Sequence, residues 1–600
     1  MKKHNTMKVV LIVVTILWLV SAFFLPDKDW AVLVKCGLSL VELFLMLFAL
    51  KDKNNALKVV LVTIFALCIL AWILPAAYYS GEYYDQGRVQ MGLFDLFNYS
   101  LTSLSYFGYV ALFIIFVGGF YGILHKIPAY RSFLDKIVEI CKGKEAIALS
   151  VIMVLLAVIT SICGLQMGLI LFFPMLAAVI LLMGYDKIVV ALSLVGSTMI
   201  GVAGTTFGYS NTGLLNSILG LNIMNNILVK VVILLTGLVL LIFNTLMYAK
   251  RVNGSVKAAI KAEKKVVKTE KEEVKVVKET KKAPAKKSTK TATKKTTKTP
   301  AKKTTSTKKA ATNSKTKSSK ASRKDIKAAA KGDDVIVVKE SLVNDSIDKF
   351  VPVVVDSKHK IWPIVTGFIL MFVIMLLAFI PWKDAFGLDA FEKASKAVSE
   401  FELFGFAIFG KLFGTFNAFG AWSVNDLFIV MTFIAGLLMI IYKIKIDDAF
   451  EGFATGVKKA LCPAFLAFLV YLCLVITTYH PYQLAIYKGL LNITDGFNVI
   501  TSTITAILSG FFNQDPSYSF QAVVPYLASI VTDTNVYPVV GILFQSLYGV
   551  TMLVAPTSLI LVTVLSYLDI SYKTWLKSIW KLLVEVFPVL LIVFTILVLI

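Results

Sequence analysis

Nine hydroxyl and amide side chains fall at four places where an otherwise apolar chain is interrupted. Thr205 and Thr206 lie in Gly201-Val-Ala-Gly-Thr-Thr-Phe-Gly-Tyr-Ser-Asn211, and Thr551, Thr557 and Ser558 in Tyr548-Gly-Val-Thr-Met-Leu-Val-Ala-Pro-Thr-Ser558. Gln166 sits in the break Cys163-Gly-Leu-Gln-Met-Gly168, and Ser517, Ser519 and Gln521 in Pro516-Ser-Tyr-Ser-Phe-Gln521. A membrane helix broken in this way exposes carbonyls, N–H groups and half-helix dipole ends near the bilayer midplane, where they can hold a solute or an ion. Hydroxyls beside half-helix N-termini suit a carboxylate or phosphate-like group, and carbonyl-rich breaks make Na+ a candidate coupling ion. Any one of these side chains reads more simply as bonding back to its own helix or gluing two helices. Taken together, at matching places in the two halves, they read as a binding site for a small molecule.

The elements that must position them follow from hydropathy. The chain is 57% hydrophobic with mean hydropathy +0.78, and 600 residues hold about a dozen spans of roughly 20 residues. The apolar run 8–25 is long, lacks a small-residue cleavage site and leads straight into another run, so it reads as an uncleaved first helix rather than a signal peptide. Helices are expected at 8–25, 31–50, 58–77 and 108–125, followed by a basic loop Arg131–Lys144 and a re-entrant hairpin over 145–184. A broken helix at 188–207 and a helix at 226–249 complete the first half. In the second half, helices at 360–381, 425–443 and 458–478 precede a hairpin whose tip is near Pro516–Gln521, a broken helix at 538–568 and a last helix at 576–600. The stretches Leu93–Ser105 and Phe401–Phe416 look too interrupted to span and are expected to lie in the interface as amphipathic helices.

Charge sets the orientation. From Arg251 to Lys331 the chain carries 28 Lys/Arg against 6 Asp/Glu, nearly the whole net charge of +24, in a Lys/Thr/Ala/Ser text expected to be disordered. Positive loops stay cytoplasmic, so the N-terminus and this linker are placed inside a cell (plasma) membrane, and the two helical series run in opposite orientations. Three readings fit the linker, in descending order: a solvated tether, adhesion to anionic membrane lipids, and nonspecific nucleic-acid contact. The expected organisation is two extra N-terminal helices (1–57), a first repeat (58–249), a Lys-rich cytoplasmic linker (250–355), and a linking helix with a second repeat (356–600).

Other chemistries find no support. The six cysteines form no CxxC pair, the four histidines lie in loops or at helix ends, and no P-loop is present. No nucleophile, metal cluster or acid pair stands at membrane depth, so neither an enzyme nor a resident cofactor is expected. Glu42 lies in the middle of helix 31–50 and is expected to pair with Lys35 or to serve helix packing. Lys230 and Lys411 are expected to snorkel near helix ends, and Asp186 to cap a helix.

Several motifs carry a resemblance. Trp72-Ile-Leu-Pro-Ala76, Gly118-Gly-Phe-Tyr-Gly-Ile-Leu-His-Lys126, Lys142-Gly-Lys-Glu145, Phe173-Pro-Met-Leu176 and Gly184-Tyr-Asp-Lys-Ile-Val189 resemble the YfcC-type C4-dicarboxylate anaerobic carriers of the ion-transporter superfamily. Asn425-Asp426, Phe544-Gln545, Pro556-Thr-Ser558 and Tyr572-Lys-Thr-Trp-Leu-Lys577 continue the match. The resemblance covers residues 58–249 and 360–600 and leaves out the first two helices and the lysine tract. It implies an all-α polytopic elevator-type transporter: inverted repeats with two re-entrant hairpins and two broken helices, forming a dimer of scaffold domains. It further implies a secondary carrier of a C4-dicarboxylate-like anion or an amino acid. The chain departs from the family pattern at four places. Met167 and Gly168 replace acids, Gly208-Tyr-Ser210 replaces Asn-Pro-Phe, Leu547–Met552 lacks an Asp and an Asn, and Tyr518 and Phe520 replace glycines. These losses keep a second reading open, a transport-deficient relative serving as a membrane anchor whose basic tract holds a partner.

Overall fold

The computed structural model describes residues 2–49, 55–252, 350–352, 360–414, 417–494 and 496–599. One compact unit takes in Met1–Tyr248 and Asn344–Ile600; a second spans Ala249–Val343 and is described only through Val252. The lysine-rich tract expected to be disordered therefore lies outside the described residues.

Long apolar runs become helices because a bilayer offers the backbone no hydrogen-bond partner except itself. Helices α1 (Lys2–Phe24) and α2 (Asp29–Ala49) are tied side by side. The Thr15 hydroxyl donates to Glu42 Oε1 at 2.6 Å and Trp18 Nε1 to Ser39 Oγ at 2.7 Å. Glu42 thus has a helix-packing role, and the expected Lys35–Glu42 pair does not form. The two residues lie seven apart on one helix, about 10 Å along its axis, and Lys35 Nζ instead meets Asp27 Oδ1 at 2.7 Å.

After α3 (Asn55–Ile73) and the strands β1 (Ala76–Tyr79) and β2 (Tyr83–Gly87), a series of elements begins. It consists of α4 (Leu93–Leu124), α5 (Pro128–Cys141), a hairpin of α6 (Glu145–Cys163) and α7 (Phe173–Leu182), a broken helix of α8 (Lys187–Ala203) and α9 (Tyr209–Leu219), and α10 (Ile227–Val252). The connection α11 (Trp362–Phe379), α12 (Trp382–Phe386), α13 (Ala390–Ser399), strands β3 (Glu402–Leu403) and β4 (Phe406–Ala407), and α14 (Ile408–Phe413) leads to α15 (Asp426–Ile441). The series then recurs. It consists of α16 (Ile446–Tyr479), α17 (Gln483–Leu491), a hairpin of α18 (Val499–Phe512) with α19 (Pro516–Gln521) and α20 (Val524–Ile530), a broken helix of α21 (Tyr537–Met552) and α22 (Leu559–Tyr567), and α23 (Tyr572–Leu599). Among the described residues, seven helices are long and apolar enough to cross a membrane: α3, α4, α6, α10, α11, α16 and α23.

Several sequence expectations are corrected. Leu93–Ser105 is no separate interfacial helix but the first two fifths of α4, which runs unbroken for 32 residues. Its polar residues do not end it because they bond back: the Ser100 and Thr102 hydroxyls donate to the carbonyls of Leu96 and Asn98. Phe401–Phe416 is not one helix either. Phe404 (φ 55°) and Gly405 (φ 77°) turn the chain between β3 and β4, and among the described residues of this stretch only Ile408–Phe413 is helical. The expected basic loop Arg131–Lys144 is mostly α5, which buries Tyr130, Phe133 and Leu134. Helix α16 starts at Ile446, twelve residues before the expected 458.

The two longest helices, α4 and α16, cross in direct backbone contact. A Cβ added at Gly122 would stand 2.1 Å from the Gly452 carbonyl oxygen, and one at Gly456 2.0 Å from that of Gly118. Small residues at both helices' contact faces permit this approach, as in membrane helix pairs generally.

Candidate substrate site at the paired helix breaks

The first break lies between α8 and α9. Helix α8 contains a π turn, Leu192–Gly196, and ends at Ala203, which leaves its last carbonyls without helical partners. Neighbouring elements supply donors. The Ser161 hydroxyl, from α6, donates to the Gly204 carbonyl at 2.7 Å and lies 3.1 Å from Thr206 Oγ1, while Thr206 N donates to the Ser161 carbonyl at 3.0 Å. Gln545 Nε2, from α21, donates to the Thr205 carbonyl at 2.8 Å. Thr205 Oγ1 donates back to the Val202 carbonyl at 2.7 Å and accepts from Asn211 Nδ2 at 3.2 Å. Gln166 Nε2 donates to Asn211 Oδ1 at 2.7 Å, which completes a chain from hairpin tip to break to second broken helix.

The second break, between α21 and α22, is closed in the same manner by other residues. Trp575 Nε1 donates to the Leu553 carbonyl at 2.8 Å, and the Tyr572 hydroxyl donates to that of Val554. Thr557 Oγ1 donates to the Phe511 carbonyl of α18 at 2.8 Å, and Thr551 packs on Gly510 of the same helix. The Ser558 hydroxyl is buried and, among the described residues, has no hydrogen-bond partner; Ser502, Thr503 and Ser546 share this state. A buried hydroxyl without a partner is uncommon in a folded chain and marks a place where a ligand or water can bond.

The broken helices meet. Gly549 of α21 lies against Ala203 at the end of α8, so close that an added Cβ would stand 2.4 Å from the Ala203 nitrogen. This crossing brings Gln166, Thr205 and Thr206 into one network with Ser161, Asn211 and Gln545. Thr551, Thr557 and Ser519 gather separately around α18, where Ser519 and Ser509 join their hydroxyls inside the hairpin. Ser517 and Gln521 belong to neither group. Ser517 N caps onto Asp515 Oδ1 at 2.9 Å, and Gln521 is exposed to a cavity.

That cavity, of about 630 Å³, lies between the β1–β2 hairpin, the ends of α16 and α17, and the hairpin tip of α18 and α19. Tyr78, Tyr79, Tyr479, Tyr518 and Tyr526 line it, with Gln86, Gln483, Asn513 and Gln521. Thr477 Oγ1 donates to Asn513 Oδ1 at 3.0 Å, and Asn513 Nδ2 donates to Gln483 Oε1 at 3.4 Å. Nearby basic groups are engaged. Arg88 Nη2 lies 2.8 Å and Lys35 Nζ 2.7 Å from Asp27, and Lys488 Nζ 3.6 Å from Asp29. Burial works to raise the Asp27 carboxyl, but the hydrogen bonds from Arg88 and Lys35 outweigh it and hold the group below the usual carboxylate range. His480 donates from Nδ1 to the Val89 carbonyl at 2.7 Å, and its Nε2 lies 2.9 Å from the Tyr99 hydroxyl oxygen.

Sequence reasoning missed Ser161, Asn211 and Gln545 as members of the first network, and the Thr477–Gln483–Asn513 group. One signal was legible. Gln545 is a buried amide in an apolar helix, four residues before Gly549, so a bulky polar residue and a close-approach residue share one helix face.

Two hairpins stitched to two broken helices that cross at their breaks, in a multi-pass helical membrane protein, define a solute-carrier architecture. The chain belongs to the DcuC family, C4-dicarboxylate anaerobic carrier, whose model matches residues 5–294 and 335–600. The match takes in the first two helices and part of the lysine tract, which the motif resemblance had left outside. No curated protein matches the chain. Carrier-family membership points to a transporter rather than an enzyme.

Proposed function

We propose that the chain is a secondary active transporter of a small organic solute, a C4-dicarboxylate-like anion or an amino acid, across the plasma membrane. The observation that carries this is the crossing of the two broken helices at Ala203 and Gly549, each tied to its own hairpin, in a chain of the carrier family. The repeated element order reads as inverted repeats of an elevator, with the breaks and hairpin tips travelling as one body past α4 and α16. On this reading Gln166, Thr205, Thr206, Ser517, Ser519, Gln521, Thr551, Thr557 and Ser558 surround the solute. Na+ couples its movement, the N-terminus and lysine-rich linker face the cytoplasm, and the scaffold helices pair two copies in the lipid.

One observation favours the anchor reading. Ser161, Gln545, Trp575 and Tyr572 already occupy the break carbonyls of Gly204, Thr205, Leu553 and Val554 that an ion would use. Counterflow in proteoliposomes separates the two. Vesicles preloaded with succinate, fumarate or unlabelled amino acids should accumulate the labelled solute, faster with Na+ than with choline, and Thr557→Ala should slow it. Absence of counterflow for every solute, with the fold intact, would leave the anchor.

A further inference from the structure

A short piece of the linker between the two halves is buried in the body of the protein. Phe350-Val-Pro-Val-Val-Val355 is an apolar run that follows the lysine tract, and its described residues, Phe350, Val351 and Pro352, are all buried. Phe350 is 4% exposed and Val351 5%. A segment that served only as a solvated tether would have no need of such packing.

Its partners come from two sets of elements. Its backbone is held by α4 and α5. His125 Nε2, just past the end of α4, donates to the Phe350 carbonyl at 3.1 Å, and Arg131 Nη1 of α5 donates to the Pro352 carbonyl at 3.4 Å. The Phe350 ring faces the other set. It lies 6.0 Å from the Tyr567 ring at the end of α22, and it lines a small cavity with Phe173 and Ala177 of α7, Leu194 of α8 and Val564 of α22. Phe350 also lines a cavity of about 240 Å³, walled by the crossing glycines of α4 and α16 and by Pro174 of α7. The ring therefore stands in the seam between the crossed pair α4–α16 and the hairpin and broken-helix elements.

On the carrier reading the hairpins and breaks travel past α4 and α16, and any such slide changes what faces across this seam. The two backbone bonds keep the segment with α4 and α5, so the ring would lose Tyr567 and the wall of α7. Packed surfaces of this kind pass between discrete arrangements rather than deforming continuously. Contacts made in one arrangement and lost in the next bias the equilibrium toward the first. We propose that Phe350–Pro352 is an autoinhibitory strap, which holds the moving elements against α4 in the arrangement seen here and so limits turnover. The proposal rests on the carrier reading and adds a control to it.

The test is counterflow by the full chain in proteoliposomes, with labelled succinate, fumarate, aspartate and leucine as probes. Phe350→Ala empties the seam and should raise the initial rate about fivefold, as expected where a conformational step limits turnover. His125→Leu removes only the donor to the Phe350 carbonyl and should raise the rate about twofold, which keeps the test open should the first variant fail to fold. Phe350→p-benzoylphenylalanine, irradiated, should attach to α7 or α22, and the attached fraction should stop transporting. A silent unaltered chain made active by Phe350→Ala would be the strongest support. An active unaltered chain whose folded variants are no faster would overturn the strap while leaving the carrier reading standing. Attached protein with full counterflow would also overturn it, because the two sides of the seam would then not move apart. Silence of the unaltered chain and of both variants, with the fold intact, would overturn the carrier reading and the strap together.

Discussion

Gly549→Ala is the sharpest perturbation of the crossing on which the site depends. The added methyl would lie 2.4 Å from the Ala203 nitrogen, 2.7 Å from its Cα and 2.8 Å from its Cβ. Ordinary carbon contacts are about 3.5–4.0 Å, so α8 and α21 must part by roughly 1 Å. None of the three atoms is the free end of a flexible side chain that could swing aside. Overpacking of this kind costs about 1–3 kcal/mol. The same displacement stretches the 2.8 Å bond from Gln545 Nε2 to the Thr205 carbonyl beyond hydrogen-bond range. Leaving those buried groups unpaired costs about 1–3 kcal/mol more. Both losses arise from one movement and do not simply add, so a total near 3 kcal/mol is expected.

The control is Gly436→Ala in α15, where nothing lies within 4 Å of the new methyl; helix propensity alone should make it neutral or stabilising by up to about 1 kcal/mol. Unfolding in mixed micelles should therefore separate the two alanine variants by about 3–4 kcal/mol. In a Gln545→Leu background Gly549→Ala should cost less, because the bond it breaks is already gone. Equal stability of the two alanine variants would refute the close crossing, and with it the argument that the breaks share one site.

Other consequences are directly measurable. Trp575→Phe removes the donor to the Leu553 carbonyl together with part of a fully buried ring, and should cost about 1–3 kcal/mol by the same unfolding assay. Asp186 caps α8 and accepts from Val189 N and the Tyr248 hydroxyl; burial pushes its carboxyl up to about 6 despite those bonds. A folded-state value above the unfolded one favours the fold while the group is protonated, a contribution lost as pH rises from about 4 through 6. Asp186→Asn should then exceed the unaltered chain in stability at pH 7.5, by at most about 3 kcal/mol, and the gap should close below pH 4. Phe350 is 4% exposed, lies 6.0 Å from the Tyr567 ring, and accepts at its carbonyl from His125 Nε2 at 3.1 Å. Phe350→Ala should cost about 3 kcal/mol. It should also let His125, held at about 4 by burial and by Lys459, titrate closer to the usual histidine value, as followed by NMR.

Residue order alone was enough to locate most of the helices, the two hairpins and both helix breaks. Those features follow from local physics: a bilayer forces each apolar run into a helix, and a cluster of Gly, Pro and hydroxyl residues weakens it at that point. The interfacial assignment of Leu93–Ser105 failed because back-bonding of Ser100 and Thr102, itself local, leaves no trace in hydropathy. Lys35 chose Asp27 rather than Glu42 because partner choice depends on where the α1–α2 turn places its acid. Tertiary structure alone decided how the breaks are completed. The Thr205 carbonyl finds Gln545 and the Gly204 carbonyl finds Ser161, while Leu553 finds Trp575, and none of these pairs is a near neighbour in the chain. A break announces that carbonyls are freed, but the donor that takes them is set by which helices cross. That crossing is fixed by close approach at Gly549 and Ala203, a relation between halves that no single run of residues contains.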